Sequence, residues 1–176
     1  FKTRTKQAVA MGFIKTGGYR PAQIGAETGV AVAVDTAGVL RLIDWSLAME
    51  QADAPHRDRY PDVMVTGPML LRGGRSLIPW DSTAPRHPRS CVGTKADGTV
   101  LLMVVDGRQS RAAGMALCEL AYAARLMGAA DAINLDGGGS STLWTKGQGI
   151  VNAPSDRMLF FRSERPVCNA IVVKRK

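Results

Sequence analysis

The sequence lacks a run of eighteen or more apolar residues, so nothing in it reads as a membrane-spanning helix. Histidine occurs only twice, as His56 and His87, far apart in sequence. That scarcity argues against a zinc or two-metal catalytic centre, which draws on clusters of His and Asp. The three cysteines, Cys91, Cys118 and Cys168, have no metal-like spacing and no catalytic neighbours. Cys118 falls in an apolar helical pattern as a small core residue; Cys91 and Cys168 are candidates for a pair in an oxidising compartment. Aromatic residues are only 6%, and no basic helix or nucleic-acid motif accompanies them. No repeat, low-complexity tract or domain linker interrupts residues 1–176, so the chain reads as one domain with a real core. No signal peptide is legible, and the abrupt start at Phe1 is what a mature or trimmed product would be expected to show.

What is present is ordinary for a globular protein: 45% hydrophobic and 22% charged residues. The net charge is +8, but the cations are dispersed. Arg57 and Arg59 sit beside Asp53 and Asp58, and Lys174-Arg175-Lys176 form a terminal tail. A solvated basic surface accounts for most of them, with a mild preference for anionic ligands.

One stretch stands apart: Asn134-Leu135-Asp136-Gly137-Gly138-Gly139-Ser140-Ser141-Thr142. It follows a short buried strand over 131–135 and precedes another at 143–145. Three glycines mean that the backbone needs positive φ or that something must come close to it. Their N–H groups can form an anion-binding nest, and the three hydroxyls add short hydrogen-bonding groups. Asp136 supplies a base, a nucleophile or a metal ligand. A plain hairpin connection would need one glycine, not three.

In chain order, residues 1–21 read as irregular with at most one strand. Residues 30–34 and 39–43 form a hairpin, and 46–59 hold a short helix broken at Pro55. Gly67-Pro68 punctuates an apolar run and suits equally an edge-strand kink and a backbone corner lining a pocket. A strand over 91–94 turns at Ala96-Asp97-Gly98 into Val100–Val105, whose continuous apolar run predicts burial on both faces. It ends at Asp106-Gly107-Arg108. Gly114–Gly128 is the clearest helix, with Leu117, Leu120, Ala121, Ala124 and Met127 at helical spacing. If it is a crossover, the strands before and after it are parallel and share a carboxyl edge. Asp106 and Arg108 then lie near Asp136. A hairpin at 143–152 and a last strand over 167–173 complete an α/β or α+β domain with a central mixed sheet flanked by helices.

Four segments, in this order, resemble one family: Val65-Thr66-Gly67-Pro68-Met69-Leu70, His87-Pro88-Arg89-Ser90, Val105-Asp106-Gly107-Arg108 and Asn134 to Thr142. Arg165-Pro166-Val167-Cys168-Asn169-Ala170 resembles its terminal strand. The chain resembles a phosphodiester glycosidase domain from about residue 25 to about 173. The lysosomal member of that family removes N-acetylglucosamine from a mannose phosphodiester. The family's upstream Asn-Gly-x-Phe-Phe type segment has no counterpart here, so the resemblance implies a domain lacking its N-terminal segment. It also implies a bacterial, extracytoplasmic setting and a phosphorylated glycan or sugar phosphodiester as partner.

Glycosidase chemistry usually needs two carboxyl groups, and Asp106 and Asp136 are the natural pair. A sugar 1-phosphodiester already carries a good leaving group, so neutralising its phosphate matters more than protonating it. Arg108 and Arg89 suit that role by bidentate contact. Gly137, Gly138 and Gly139 can assist. Asn134, Ser140, Ser141, Thr142 and Gly67 are candidates to hold the substrate, and His87 to carry a proton. No cofactor is required on this reading; a single structural calcium on carboxylates and carbonyls stays open. Two rivals are a non-catalytic carbohydrate-binding module and a metal-dependent phosphodiesterase cutting P–O.

Overall fold

The computed structural model describes residues 2–3, 8–17, 19, 23–24, 29–45, 59–158, 161–162, 164–167 and 169–174. The first strands are short: β1 (Lys2–Thr3), β2 (Ala8–Met11), β3 (Ile14–Lys15) and β4 (Gln23–Ile24). Three of them fall in the stretch over 1–21 where the sequence predicts at most one; segments of two to four residues carry too little alternation to be legible. The hairpin β5 (Gly29–Val34) and β6 (Leu40–Trp45) follows as expected, paired from Gly29↔Trp45 to Val34↔Leu40. Its turn is tied by Asp35, whose carboxylate accepts the N–H groups of Ala37 and Val39 at 3.0 and 2.9 Å. The helix expected over 46–59 falls outside the described residues apart from Arg59.

β7 (Asp62–Thr66) and β8 (Met69–Arg72) flank a cis Gly67-Pro68 bond, and β9 (Arg75–Ser76) turns back on β8. β10 (Arg89–Thr94), β11 (Val100–Val105), the helix α1 (Leu117–Leu126) and β12 (Asp131–Asn134) follow. β13 (Trp144–Thr145) pairs with β14 (Gly149–Ile150), and β15 (Arg157–Met158) with β16 (Phe161–Arg162). No strand runs through the described residues of 167–173, where the sequence predicts the last one; Ile171 instead packs against the core from an irregular segment.

The expected mixed sheet flanked by helices is not what forms. Two larger sheets stack, in the orders β3-β7-β5-β6 and β11-β10-β12-β8-β9, and every pairing within them is antiparallel. A single complete α-helix stands among the described residues, so the protein is mostly β. Alternation along the strands explains the layers. On β10 and β12, Cys91 and Ala132 face α1 with Leu120, Ala121 and Ala124, whereas Val92 and Ile133 face Val32, Leu42 and Met69 between the sheets. Ala31, Ala33 and Val63 point to the far side of the four-stranded sheet, where Phe13 stacks on Trp45 at 4.9 Å.

β11 and β12 do run in the same direction, and their carboxyl ends share an edge. They are not neighbours, however: β10 lies between them, antiparallel to both. β11 is therefore an edge strand, and its apolar run is not buried on both faces. Leu101, Met103 and Val105 pack under α1, while Val100 and Leu102 are each 39% exposed. α1 starts where Glu119 accepts the Ala116 N–H at 2.9 Å, half of a capping box. Arg86 pairs with Glu119 and holds its carboxyl below the usual range. Gly128, at φ 87°, ends the helix.

Candidate active site

The shared edge of β10, β11 and β12 gathers the loops that carry the predicted residues. The backbone of His87-Pro88 is wrapped closely there. His87 and Met115 exchange backbone hydrogen bonds at 3.2 and 2.9 Å, and Gly138 N–H donates to Pro88 O at 2.9 Å. Gly137 is glycine for a steric reason: a Cβ there would lie 2.8 Å from the Pro88 carbonyl oxygen. Gly139 is glycine for a second reason, because the Asp156 carboxylate lies directly on the face where its Cβ would be.

The result is an open cleft of about 320 Å³ lined by His87, Arg89, Arg108, Asp136, Gly137, Gly138, Gly139 and Arg165. Its walls hold three guanidinium groups and one carboxylate. Arg89 is fixed from below, donating from Nε to the Met115 carbonyl at 3.0 Å. Burial, and then the like charge of Arg108, lower its pKa, but an arginine so shifted is still a cation at neutral pH. Arg108 reaches the cleft from a backbone at φ 56°, a left-handed conformation that non-glycine residues seldom adopt. Such strain concentrates at functional sites. Its guanidinium lies over Gly138 and 3.3 Å from His87 Nδ1. Arginine has donors only, so that contact needs the neutral His87 tautomer with Nδ1 bare.

Asp136 stands at the mouth, its side chain 80% exposed, with one oxygen accepting the Gly137 N–H at 2.9 Å. The other oxygen faces Arg165 at 3.7 Å. Arg165 also lies 3.7 Å from Asp156 and donates to Ser140 Oγ. Neither Arg165 nor Asp156 is legible as a site residue in the sequence. Arg165 sits in a quoted family segment, but nothing in its spacing points at Asp136; only the fold does.

The remaining predicted residues lie behind this wall. Asp106 does not line the cleft. Its carboxylate accepts the Ala153 N–H with both oxygens, at 3.0 and 3.1 Å, and the Asn152 side-chain N–H at 2.9 Å. Asn134 is buried; its Nδ2 donates to the carbonyls of Gly67 and Leu135 at 3.0 and 2.7 Å, which braces the Gly67-Pro68 corner. Ser141 is 1% exposed, and Thr142 is half-buried away from the cleft. Cys91 and Cys118 are free, buried thiols; the Cys91–Cys168 pairing falls on Cys168, outside the described residues. Among the described residues no three His, Cys, Asp or Glu side chains converge on a metal-sized point. No described helix is long and apolar enough to cross a membrane.

The phosphodiester glycosidase family matches residues 1–174, further toward the N-terminus than the resemblance read from the motifs. A SPbeta prophage-derived uncharacterized protein of Bacillus subtilis (strain 168) is 36% identical over 76 residues, 43% of this chain and 12% of that protein. Among solved structures, the zebrafish N-acetylglucosamine-1-phosphodiester alpha-N-acetylglucosaminidase catalytic domain, auto-inhibited by its pro-peptide, matches with a TM-score of 0.76 and 24% identity. That match covers 95% of this chain and 58% of the zebrafish chain, and it shows a shared fold. A hypothetical protein from Synechocystis matches with a TM-score of 0.46 at 21% identity, over 82% of this chain and 35% of its own. The chain thus spans only part of the length of each relative.

Proposed function

Since the chain belongs to the phosphodiester glycosidase family, we propose that it hydrolyses the glycosidic C–O bond of a sugar 1-phosphodiester, with an N-acetylglucosamine-1-phosphodiester-like substrate and an extracytoplasmic setting. One observation carries this reading: Asp136 shares an open cleft with Arg89, Arg108 and Arg165. A carboxylate that shares a cleft with three guanidinium groups suits a ligand that brings its own negative charge to a site where a base or nucleophile is waiting.

On this reading Arg89 and Arg108 take the non-bridging phosphate oxygens, with the Gly137 to Gly139 backbone beneath them. They stabilise the charge that gathers on the leaving phosphate, so no strong acid is needed on that side. Asp136 then acts at the anomeric carbon, either attacking it or drawing a proton from the attacking water. The C–O bond breaks and its electron pair leaves with the phosphate monoester; where Asp136 has attacked, water then hydrolyses the glycosyl ester and releases the sugar. Asp106 takes the supporting role, because its oxygens are engaged by Asn152 and Ala153. His87 keeps Arg108 aimed.

The test is turnover of α- and β-linked sugar 1-phosphodiesters in oxygen-18 water, with and without chelator. Label in the sugar is the expected result. Label in the phosphate marks P–O cleavage, and binding without turnover marks a carbohydrate-binding module; either result sinks the proposal.

A further inference from the structure

Arg165 is placed differently from the other two guanidinium groups of the cleft. It comes from an irregular segment near the C-terminus and not from the β10–β12 edge. That segment is anchored downstream, where Ile171 packs between the sheets and Asn169 reaches Met64 Sδ at 3.5 Å. Pro166 follows directly and restricts the Arg165 backbone to extended conformations.

Its guanidinium donates to Ser140 Oγ, but its contacts with the carboxylates are loose. Each carboxylate lies 3.7 Å away, beyond hydrogen-bonding distance, and the guanidinium is 47% exposed. A solvent-screened pair of that kind contributes little and exchanges readily. A phosphate offering two parallel oxygens at hydrogen-bonding distance is the stronger partner. Ser140 Oγ accepts from the guanidinium and holds it in the cleft, and Asp156, fixed against Gly139 on a segment that Asp106 ties down through Asn152 and Ala153, lies along its other side. Arg165 can therefore leave Asp136 without leaving the cleft.

We propose that Arg165 is a specificity-determining residue of the cleft: held by Ser140, it pairs with Asp136 in the empty protein and turns to the phosphate when a phosphodiester enters, releasing the carboxylate to act. This rests on the reading of Asp136 as the reacting group. An uncharged substrate draws Arg165 nowhere, so the carboxylate stays paired. Selectivity for an anionic leaving group then comes from freeing Asp136 as well as from attraction.

The experiment compares wild type, Arg165→Ala and Arg165→Lys on a sugar 1-phosphodiester and on the uncharged aryl glycoside of the same sugar. Arg165→Ala is expected to lose about ten- to a hundredfold in kcat/KM on the diester, with partial rescue by millimolar guanidinium ion. Turnover of the aryl glycoside is expected to hold or rise. Equal loss on both substrates, or no rescue, overturns the proposal while leaving the hydrolase reading intact. A second measurement needs no turnover and no variant. Titrating wild-type protein with diethyl phosphate should shift the Arg165 guanidinium resonances and the Asp136 carboxyl resonance together. If the diester is never hydrolysed but both resonances move, the hydrolase reading fails and Arg165 stands as the phosphate-responsive residue; if diethyl phosphate binds and neither moves, the proposal falls.

Discussion

Both oxygens of Asp106 accept the backbone N–H of Ala153, at 3.0 and 3.1 Å, across 47 residues of sequence. A carboxylate used in this way ties the end of β11 to the loop that carries Asp156. Asp106→Ala leaves the Ala153 and Asn152 donors without that partner in a half-buried place. The expected loss is roughly 1.5–3 kcal/mol, the range for hydrogen bonds to charged groups. In a protein of this size that lowers Tm by about 3–12 °C. A thermal melt checks it. An unchanged Tm together with abolished turnover would return Asp106 to the chemistry.

Arg108 allows its backbone and its charge to be separated. Arg108→Ala should cost about ten- to a hundredfold on a sugar phosphodiester, and much less on an uncharged aryl glycoside. Arg108→Gly should show the same loss of turnover but melt no lower than wild type, because glycine adopts φ 56° without strain. Parallel kinetics and melts on the two variants decide the matter. Equal loss on both substrates would mark Arg108 as a structural partner.

Much of this arrangement was legible. The Asp136 loop, the hairpin over 30–34 and 39–43 and the helix ending at Gly128 follow from local signals, and the shared carboxyl edge from taking that helix as a crossover. What failed were inferences about neighbours. The run Val100–Val105 marks a strand, but an apolar face toward solvent reads no differently from one toward a second layer. Ala96-Asp97-Gly98 joins β10 to β11, yet nothing local says that β10 then lies between β11 and β12. Asp106 stood out because it ends a strand. What decides its part is which N–H groups its oxygens accept, and those lie on a loop 46 and 47 residues away. Arg165 was invisible for the same reason, since its partners Asp136, Ser140 and Asp156 come from other loops.

Gly137→Ala should destabilise by roughly 1–3 kcal/mol through overpacking alone. Its φ of −124° is open to any residue, so no backbone strain enters. The cost arises from a methyl group 2.8 Å from the Pro88 carbonyl oxygen, on a backbone pinned by neighbouring loops. Denaturant unfolding measures it. A loss below about 0.5 kcal/mol would mean that the His87-Pro88 segment yields easily.

Burial pushes the Cys91 thiol from its ordinary 9.0 up to about 11. Because the folded value is the higher one, the contribution of Cys91 to stability is fully present below pH 9 and is lost as pH rises through about 11. Cys91→Ala should therefore flatten the fall of stability with pH across that window. In the native protein Cys91 should resist thiol reagents at pH 8 and react once unfolded. Rapid native-state labelling of Cys91 would contradict its burial in the core under α1.

Asp136→Asn should remove most turnover while the protein stays folded and still binds a phosphodiester. Asp136 follows β12, whose Ala132 and Ile133 are fully buried and fix its backbone. Its side chain is nonetheless 80% exposed and faces an open cleft. A carboxylate kept for packing would not be built that way. Asparagine is nearly isosteric and keeps an acceptor for the Gly137 N–H, so the local turn survives while charge and basicity go. Loss of a general base typically costs about a hundred- to ten-thousandfold, and loss of a nucleophile more. Binding should hold or tighten, because the variant frees Arg165 for the phosphate. Kinetics, a thermal melt and diethyl phosphate titration on the one variant give all three readings. Near-normal turnover with a much lower Tm would mean that Asp136 caps a turn and that the reacting group lies elsewhere in the cleft.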